Sequence, residues 1–315
     1  MTMPNTFVVG FERSGTTSLH WTLATHPECL VSQQKEPNFW LFAPDGTPPA
    51  GMVDQQVALM EKRSGKTLEA YEALFAGATG RHKAIIDVSP SYLRFAATVA
   101  PRLKRALPQA KIIAMIRNPV DHARSLLSVW LGRPATPLEL TQALEINIPP
   151  PNGGPGLRDH GQQYYQQLWQ LYLCFDRDQI LPLRFEDLVR GDGLDQIQDF
   201  LELSRVALRL RHDNASGQAL VPKFGVASAR RAVKSILPDG MLRALSPMAH
   251  RLRSATIATK AEPLSAALRE ELTCRYYRLT IHRVAGLTQL NLRPWLLPYR
   301  PPAAVAHGAT REHAG

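Results

Sequence analysis

The chain has 315 residues, 44% of them hydrophobic, and a formal net charge of +10. That is apolar material enough for one large core without a second compact unit, and the positive balance favours acidic partners, a polyanionic nucleotide among them. Cys29, Cys174 and Cys274 are too few and too scattered for a disulfide framework or a metal cluster, and the basic residues form no run interleaved with aromatics, which argues against nucleic acid.

The first element is a short β-branched and aromatic run, Thr6-Phe7-Val8-Val9-Gly10, followed by a loop with Arg13 inside it and a helix that opens near Gly15 and stops before His26-Pro27. Strand, glycine loop and helix N-terminus make a phosphate cradle: backbone N–H groups converge on the anion, and the helix dipole lies beneath it. The spacing Gly10-x-x-x-x-Gly15-Thr16-Thr17 is one residue away from the ATP-binding P-loop, with Thr16 where that motif has lysine. Arg13 is then the cation of the loop, and the cradle suits a 5′-phosphate bearing one further group better than a triphosphate.

A short strand is expected at Cys29-Leu30-Val31, followed by Lys35-Glu36-Pro37-Asn38-Phe39-Trp40. Residues 43 to 66 read as a Pro- and Gly-rich loop holding a short helix near Val57 to Lys62, and Leu68 to Phe75 is amphipathic. Lys83 to Val88 reads as a buried strand that leads into Ser89-Pro90-Ser91-Tyr92. Lys111 to Ile116 is a continuous apolar run, the pattern of a strand covered on both faces of a parallel sheet. It ends in Arg117-Asn118-Pro119, and proline starts a helix without losing a needed N–H. Arg117 thus stands at the carboxyl end of its strand, where open α/β sheets bind ligands, although an ion pair is equally compatible with that position. Ser125 lies two turns into the helix that runs to Leu131.

Gly132 to Leu157 reads as a long flap or linker. Residues 158 to 177 repeat apolar and aromatic side chains at helical spacing. Gln179 to Phe185 reads as a strand with Pro182 marking an edge, and Glu186-Asp187-Leu188 opens a helix whose acids pair with arginine. The last fifteen or so residues, 301–315, have no periodicity and read as a disordered tail on a single domain spanning 1–300.

Arg13-Ser14-Gly15-Thr16-Thr17 and Arg117-Asn118-Pro119 with Ser125, in that order and on those elements, resemble the sulfotransferase family that uses 3′-phosphoadenosine 5′-phosphosulfate (PAPS). The resemblance runs over roughly residues 5 to 297 and is strongest up to about residue 130. It implies a three-layer α/β/α fold with a mainly parallel central sheet, P-loop-like, and transfer of a sulfuryl group to a hydroxyl or amine of a carbohydrate, lipid or small-metabolite acceptor. It implies that Arg13, Ser14, Gly15, Thr16, Thr17 and Ser18 hold the 5′-phosphosulfate, that Arg117 and Ser125 hold the 3′-phosphate, and that Lys223 adds charge from a late loop. In glycan-modifying members a Glu in a K-E-x-x-F-[FW] stretch is the general base, which points to Glu36 with Lys35 beside it; His26, His82, His122 and His160 are the runners-up. Asp87, Ser89 and Tyr92 fall in a [DE]-x-[ST]-P-x-Y stretch that lines the acceptor pocket, although Val88 stands where glycan-type members often have lysine. No metal is required.

Two other classes remain open to these motifs, a P-loop-type small-molecule kinase and a non-catalytic nucleotide-binding protein. With no secretory pattern and no apolar run of eighteen residues, the sequence reads as cytoplasmic without a transmembrane segment. Oligomeric state is not legible in it.

Overall fold

A computed structural model describes residues 2–42, 45–61, 67–151, 153–211 and 262–296. Among these residues five parallel strands form one sheet: β1 (Thr6–Gly10), β2 (Cys29–Val31), β3 (Ala84–Val88), β4 (Lys111–Ile116) and β5 (Ile180–Arg184), in the spatial order β2-β3-β1-β4-β5. β1 lies in the middle, with Val8 opposite Val88 on one side and Gly10 opposite Met115 on the other. Because the strands are parallel, all their carboxyl ends open on the same edge of the sheet.

Alternation along the strands divides the core into two layers. Phe7, Val9, Ile112, Ala114 and Ile116 face one way, into a cluster with Val99 and Leu103 of α5 (Ala96–Ala106), Leu126 of α6 (Pro119–Leu131) and Leu168 of α9 (Tyr164–Cys174). Val8, Ile86, Val88, Ile113, Met115 and Leu183 face the other way, against Leu19 and Leu23 of α1 (Thr16–Leu23), Leu188 of α10 (Phe185–Arg190) and Ile197 of α11 (Asp192–Phe200). The result is helix, sheet, helix, the three-layer architecture that the resemblance implies.

Two expectations need correction. The stretch from Gly132 to Leu157 is not a plain loop, because it contains α7 (Pro137–Glu145). Thr136 accepts from the Glu139 N–H and Glu139 reaches back to the Thr136 N–H, a full capping box, with Pro137 in the first turn. Residues 158–177 are not one helix either; α8 (Leu157–Gln162) is capped by Gln163, and α9 begins at Tyr164. Pro182 does lie on an edge strand, β5. The 301–315 tail, Lys223 and the rest of the late loop lie outside the described residues.

Among the described residues no helix is long and apolar enough to cross a membrane, and no three His, Cys, Asp or Glu side chains are grouped to hold a metal ion.

Candidate active site

The carboxyl ends of β1, β2, β3 and β4 bring together segments that are far apart in sequence. After β1 the chain turns sharply: Arg13 has φ of 67° and Gly15 has φ of 87°. Gly15 caps α1 and contributes no side-chain hydrogen bond to the first turn, so the first N–H groups of the helix are available to an anion. Ser14 is different, since its N–H turns back to the Phe11 carbonyl at 3.2 Å. The Ser14 N–H is thus taken up inside the loop, whereas the resemblance gave Ser14 to the 5′-phosphosulfate together with Gly15, Thr16, Thr17 and Ser18. Gly15 is forced by packing as well as by φ. A Cβ there would lie 2.5 Å from Cδ2 of Phe185, the first residue of α10.

β4 delivers Arg117 beside that loop. Its Nη1 donates to the Arg13 carbonyl at 2.8 Å, and its guanidinium lies 4.6 Å above the Phe185 ring. Its Nε is buried without a partner among the described residues. Asn118 caps α6 by accepting from the N–H groups of Val120 and Asp121, at 3.0 and 3.3 Å. The Asn118 N–H is held in turn by Glu186 at 3.0 Å. Arg13 Nε donates to Ser125 Oγ at 3.1 Å across 112 residues. Ser125 thus meets Arg13 and not Arg117, which joins the two ends of the expected donor site. Burial, and then the charge of Arg117, push the pKa of Arg13 down, with Glu12 acting the other way. Two guanidinium groups sharing a half-buried space repel each other, and an anion between them relieves both.

The segment after β2 carries Lys35 and Glu36, whose side chains are 3.3 Å apart. Glu36 and Asn38 both have φ of 55°, an uncommon conformation for residues other than glycine. β2 and β1 are separated by β3, so their ends stand two strand spacings apart, about 10 Å. Lys35 faces α1 closely enough that its charge, after burial, helps hold His20 at about 4. His20 was not singled out in the sequence; its only signal there is its place one turn beyond Thr16 and Thr17.

Asp87, Ser89 and Tyr92 are brought to the same edge but not into the open. Asp87 and Ser89 are 0% exposed and Tyr92 is 1% exposed, and Ser89 and Tyr92 accept from the backbone N–H groups of Asn38 and Trp40. The histidines separate by position. His26 and His82 precede β2 and β3 and so sit at the opposite, amino edge of the sheet. His26 Nε2 lies 3.1 Å from the Ser204 carbonyl, and the Thr79 N–H donates to His82 Nδ1 at 3.0 Å. His122 is fully buried with Nε2 2.8 Å from the Glu12 carbonyl. Burial, with the charges of His160 and Arg117 behind it, holds His122 well below its ordinary pKa. Burial also pushes His160 down to about 4. Of the acid–base groups considered, Glu36 alone is both at the carboxyl edge and partly open to solvent.

Comparison with known proteins bears on the fold and the family. A solved sulfotransferase from Alicyclobacillus acidocaldarius superposes with a TM-score of 0.62 at 23% identity, covering 94% of this chain and 99% of that one, and shares the fold. Mouse sulfotransferase SULT7A1, solved with PAP, superposes more distantly, with a TM-score of 0.41 at 13% identity over 82% of this chain and 88% of that one. Membrane-associated sulfotransferase kil1 of Dictyostelium discoideum is 30% identical over 138 residues, which are 43% of this chain but 25% of that protein. The chain therefore matches only a quarter of the curated relative's length. A family model described as the sulfotransferase family matches residues 4–206, a span that contains the glycine loop, the Glu36 segment and the Arg117–Ser125 pair. With more than half its length inside that match, the chain belongs to the sulfotransferase family.

Proposed function

We propose that the protein transfers the sulfuryl group of PAPS to a hydroxyl or amine of a carbohydrate, lipid or small-metabolite acceptor. The observation that carries this reading is the crossing of Arg13, Ser125 and Arg117. One loop after β1 and one strand end after β4 join through the 3.1 Å and 2.8 Å bonds, placing two cations beside a helix N-terminus. A nucleotide with phosphate at both its 5′ and 3′ positions suits such a paired site, and a single phosphate uses only half of it.

In this reading the N–H groups from Gly15 to Ser18 and the Thr16 and Thr17 hydroxyls hold the 5′-phosphate, and Arg13 offsets charge on its oxygen as the sulfuryl group departs. Arg117 and Ser125 hold the 3′-phosphate. Glu36 takes the acceptor proton. The acceptor oxygen or nitrogen forms its bond to sulfur while the sulfur–oxygen bond to the 5′-phosphate breaks. The electron pair of that bond stays on adenosine 3′,5′-bisphosphate. Arginine and backbone dipoles supply the positive charge, so no step calls on a metal.

The test is thermal unfolding with adenosine 3′,5′-bisphosphate, ATP and AMP in parallel, on wild type and Arg117→Ala. A ligand at a hundred times its dissociation constant stabilises by about 2.7 kcal/mol. The expected result is a shift with the bisphosphate that Arg117→Ala loses. A shift with ATP and none with the bisphosphate overturns the reading. Release of labelled sulfate from PAPS, to water and to a panel of hydroxyl and amine acceptors, then measures transfer.

A further inference from the structure

Asp87 is a fully enclosed carboxylate at the end of β3 with three hydroxyl donors around it. Ser89 donates to Oδ1 at 2.6 Å, and Tyr71 and Tyr92 donate to Oδ2 at 2.7 and 3.0 Å. A hydroxyl has one proton, so each of the three has spent its donor on Asp87 and presents lone pairs outward. Each lone pair is then met by an N–H of a single short segment. The Asn38 N–H reaches Ser89, the Trp40 N–H reaches Tyr92 and the Trp40 indole reaches Tyr71, all at 3.2 Å.

The six bonds run in one direction, and only a carboxylate, which accepts and does not donate, imposes that direction. Burial pushes Asp87 up to about 6 while the three hydroxyls pull it down. The segment held this way starts beside Glu36, and both Glu36 and Asn38 carry positive φ. Such conformations are strained for residues other than glycine and persist only where the surroundings dictate them. Tyr71 adds to the hold by stacking on Phe39 with ring centroids 4.4 Å apart.

We propose that Asp87, through Ser89, Tyr92 and Tyr71, is the positioning residue that fixes the backbone of the Glu36 segment and so aims the Glu36 carboxylate. This rests on the reading of Glu36 as general base. It gives Asp87, Ser89 and Tyr92 a part behind the pocket wall instead of on it, in keeping with their lack of exposed surface.

The experiment measures release of labelled sulfate from PAPS, with water as the acceptor, in the full chain. Wild type is compared with Glu36→Gln, Asp87→Asn and the double variant. Misplacing a reacting group by an ångström costs about a hundredfold, so Asp87→Asn is expected to lower the rate by at least about tenfold. Its thermal shift with adenosine 3′,5′-bisphosphate should match that of wild type, because the donor loop is built by β1 and β4. The double variant should be no slower than Glu36→Gln alone, since Asp87 acts through Glu36. Should Asp87→Asn fail to fold, Ser89→Ala and Tyr92→Phe each remove one relay, and each should show a smaller loss with the same lack of additivity. A wild-type rate in Asp87→Asn, or in both relay variants, overturns the positioning role. So does a double variant slowed by the product of the two single losses. A wild-type rate in Glu36→Gln instead sinks the base assignment, a separate result read from a separate variant.

Discussion

Replacing Gly15 by alanine tests whether the glycine loop, Phe185 and Arg117 act as one unit. The residue has φ of 87°, and its new Cβ would meet Phe185 at 2.5 Å from Cδ2 and 2.7 Å from Cε2. The left-handed conformation costs alanine about 1–2 kcal/mol. Carbon atoms settle at about 3.5–4.0 Å, so the ring must withdraw by roughly 1 Å, and overpacking of that sort costs about 1–3 kcal/mol. The sum is about 2–5 kcal/mol, read by urea denaturation. Phe185 is also the ring beneath Arg117, 4.6 Å from its guanidinium, so the withdrawal disturbs the group that holds the Arg13 carbonyl. Gly15→Ala should therefore also lose the thermal shift given by adenosine 3′,5′-bisphosphate. Adding Phe185→Leu should return the overlap part of the stability and leave the φ part lost. Gly80→Ala is the control, because a Cβ there has nothing within 4 Å. If Gly15→Ala stays within about 1 kcal/mol of wild type and keeps the bisphosphate shift, the steric account of this loop is wrong.

Three further outcomes follow from the same structure. Asp187 is buried, accepts from Arg184 Nε at 2.6 Å and is joined by Arg190, while Arg184 also donates to the Asn291 carbonyl at 2.8 Å. Asp187→Ala strands the Arg184 charge and should cost about 3–5 kcal/mol in denaturant unfolding; a loss below about 1 kcal/mol would show the pair to be solvated. His20 and His160 are held at about 4 against an ordinary 6.5, so the unfolded chain binds their protons first as pH falls. Their stability is complete above about pH 6.5 and is lost toward pH 4, whereas Asp87, raised to about 6, works in the opposite sense between about pH 4 and 6. The melting temperature of His160→Gln should accordingly rise less between pH 5 and pH 7 than that of wild type, and an equal rise would refute the assignment. Arg13→Lys keeps a charge but cannot reproduce the bond from Nε to Ser125. It should weaken bisphosphate binding by about tenfold in titration calorimetry, the size of one hydrogen bond to a charged group, and undiminished binding would mean that the crossing does not matter.

Much of this architecture was legible because its signals are local. The apolar run from Lys111 to Ile116, the glycines at positions 10 and 15 and the proline after Asn118 each act within a few residues, and the structure places β4, the loop and α6 at those positions. α7 was hidden although its cap is written in Thr136-Pro137-Leu138-Glu139, because the prolines and glycines on both sides read as punctuation of a loop. The candidate site was harder to read. Ser125 finds Arg13 through a fold and not through spacing, and the Asp87 network includes Tyr71, which comes from the separate helix Leu68–Ala73. A β-strand pattern says that Asp87 points inward at a given face; it carries no information on which hydroxyl groups will surround it. His20 escaped notice for the same reason, since its neighbour Lys35 arrives from beyond β2.

The order of the strands also bears on how copies of this chain meet. Among the described residues one border of the sheet is β2, three residues long, and the other is β5, interrupted by Pro182, which has no N–H to offer. Short borders and prolines are the means by which sheets resist recruiting a further strand. Two molecules therefore have little to gain by joining these borders into one continuous ribbon.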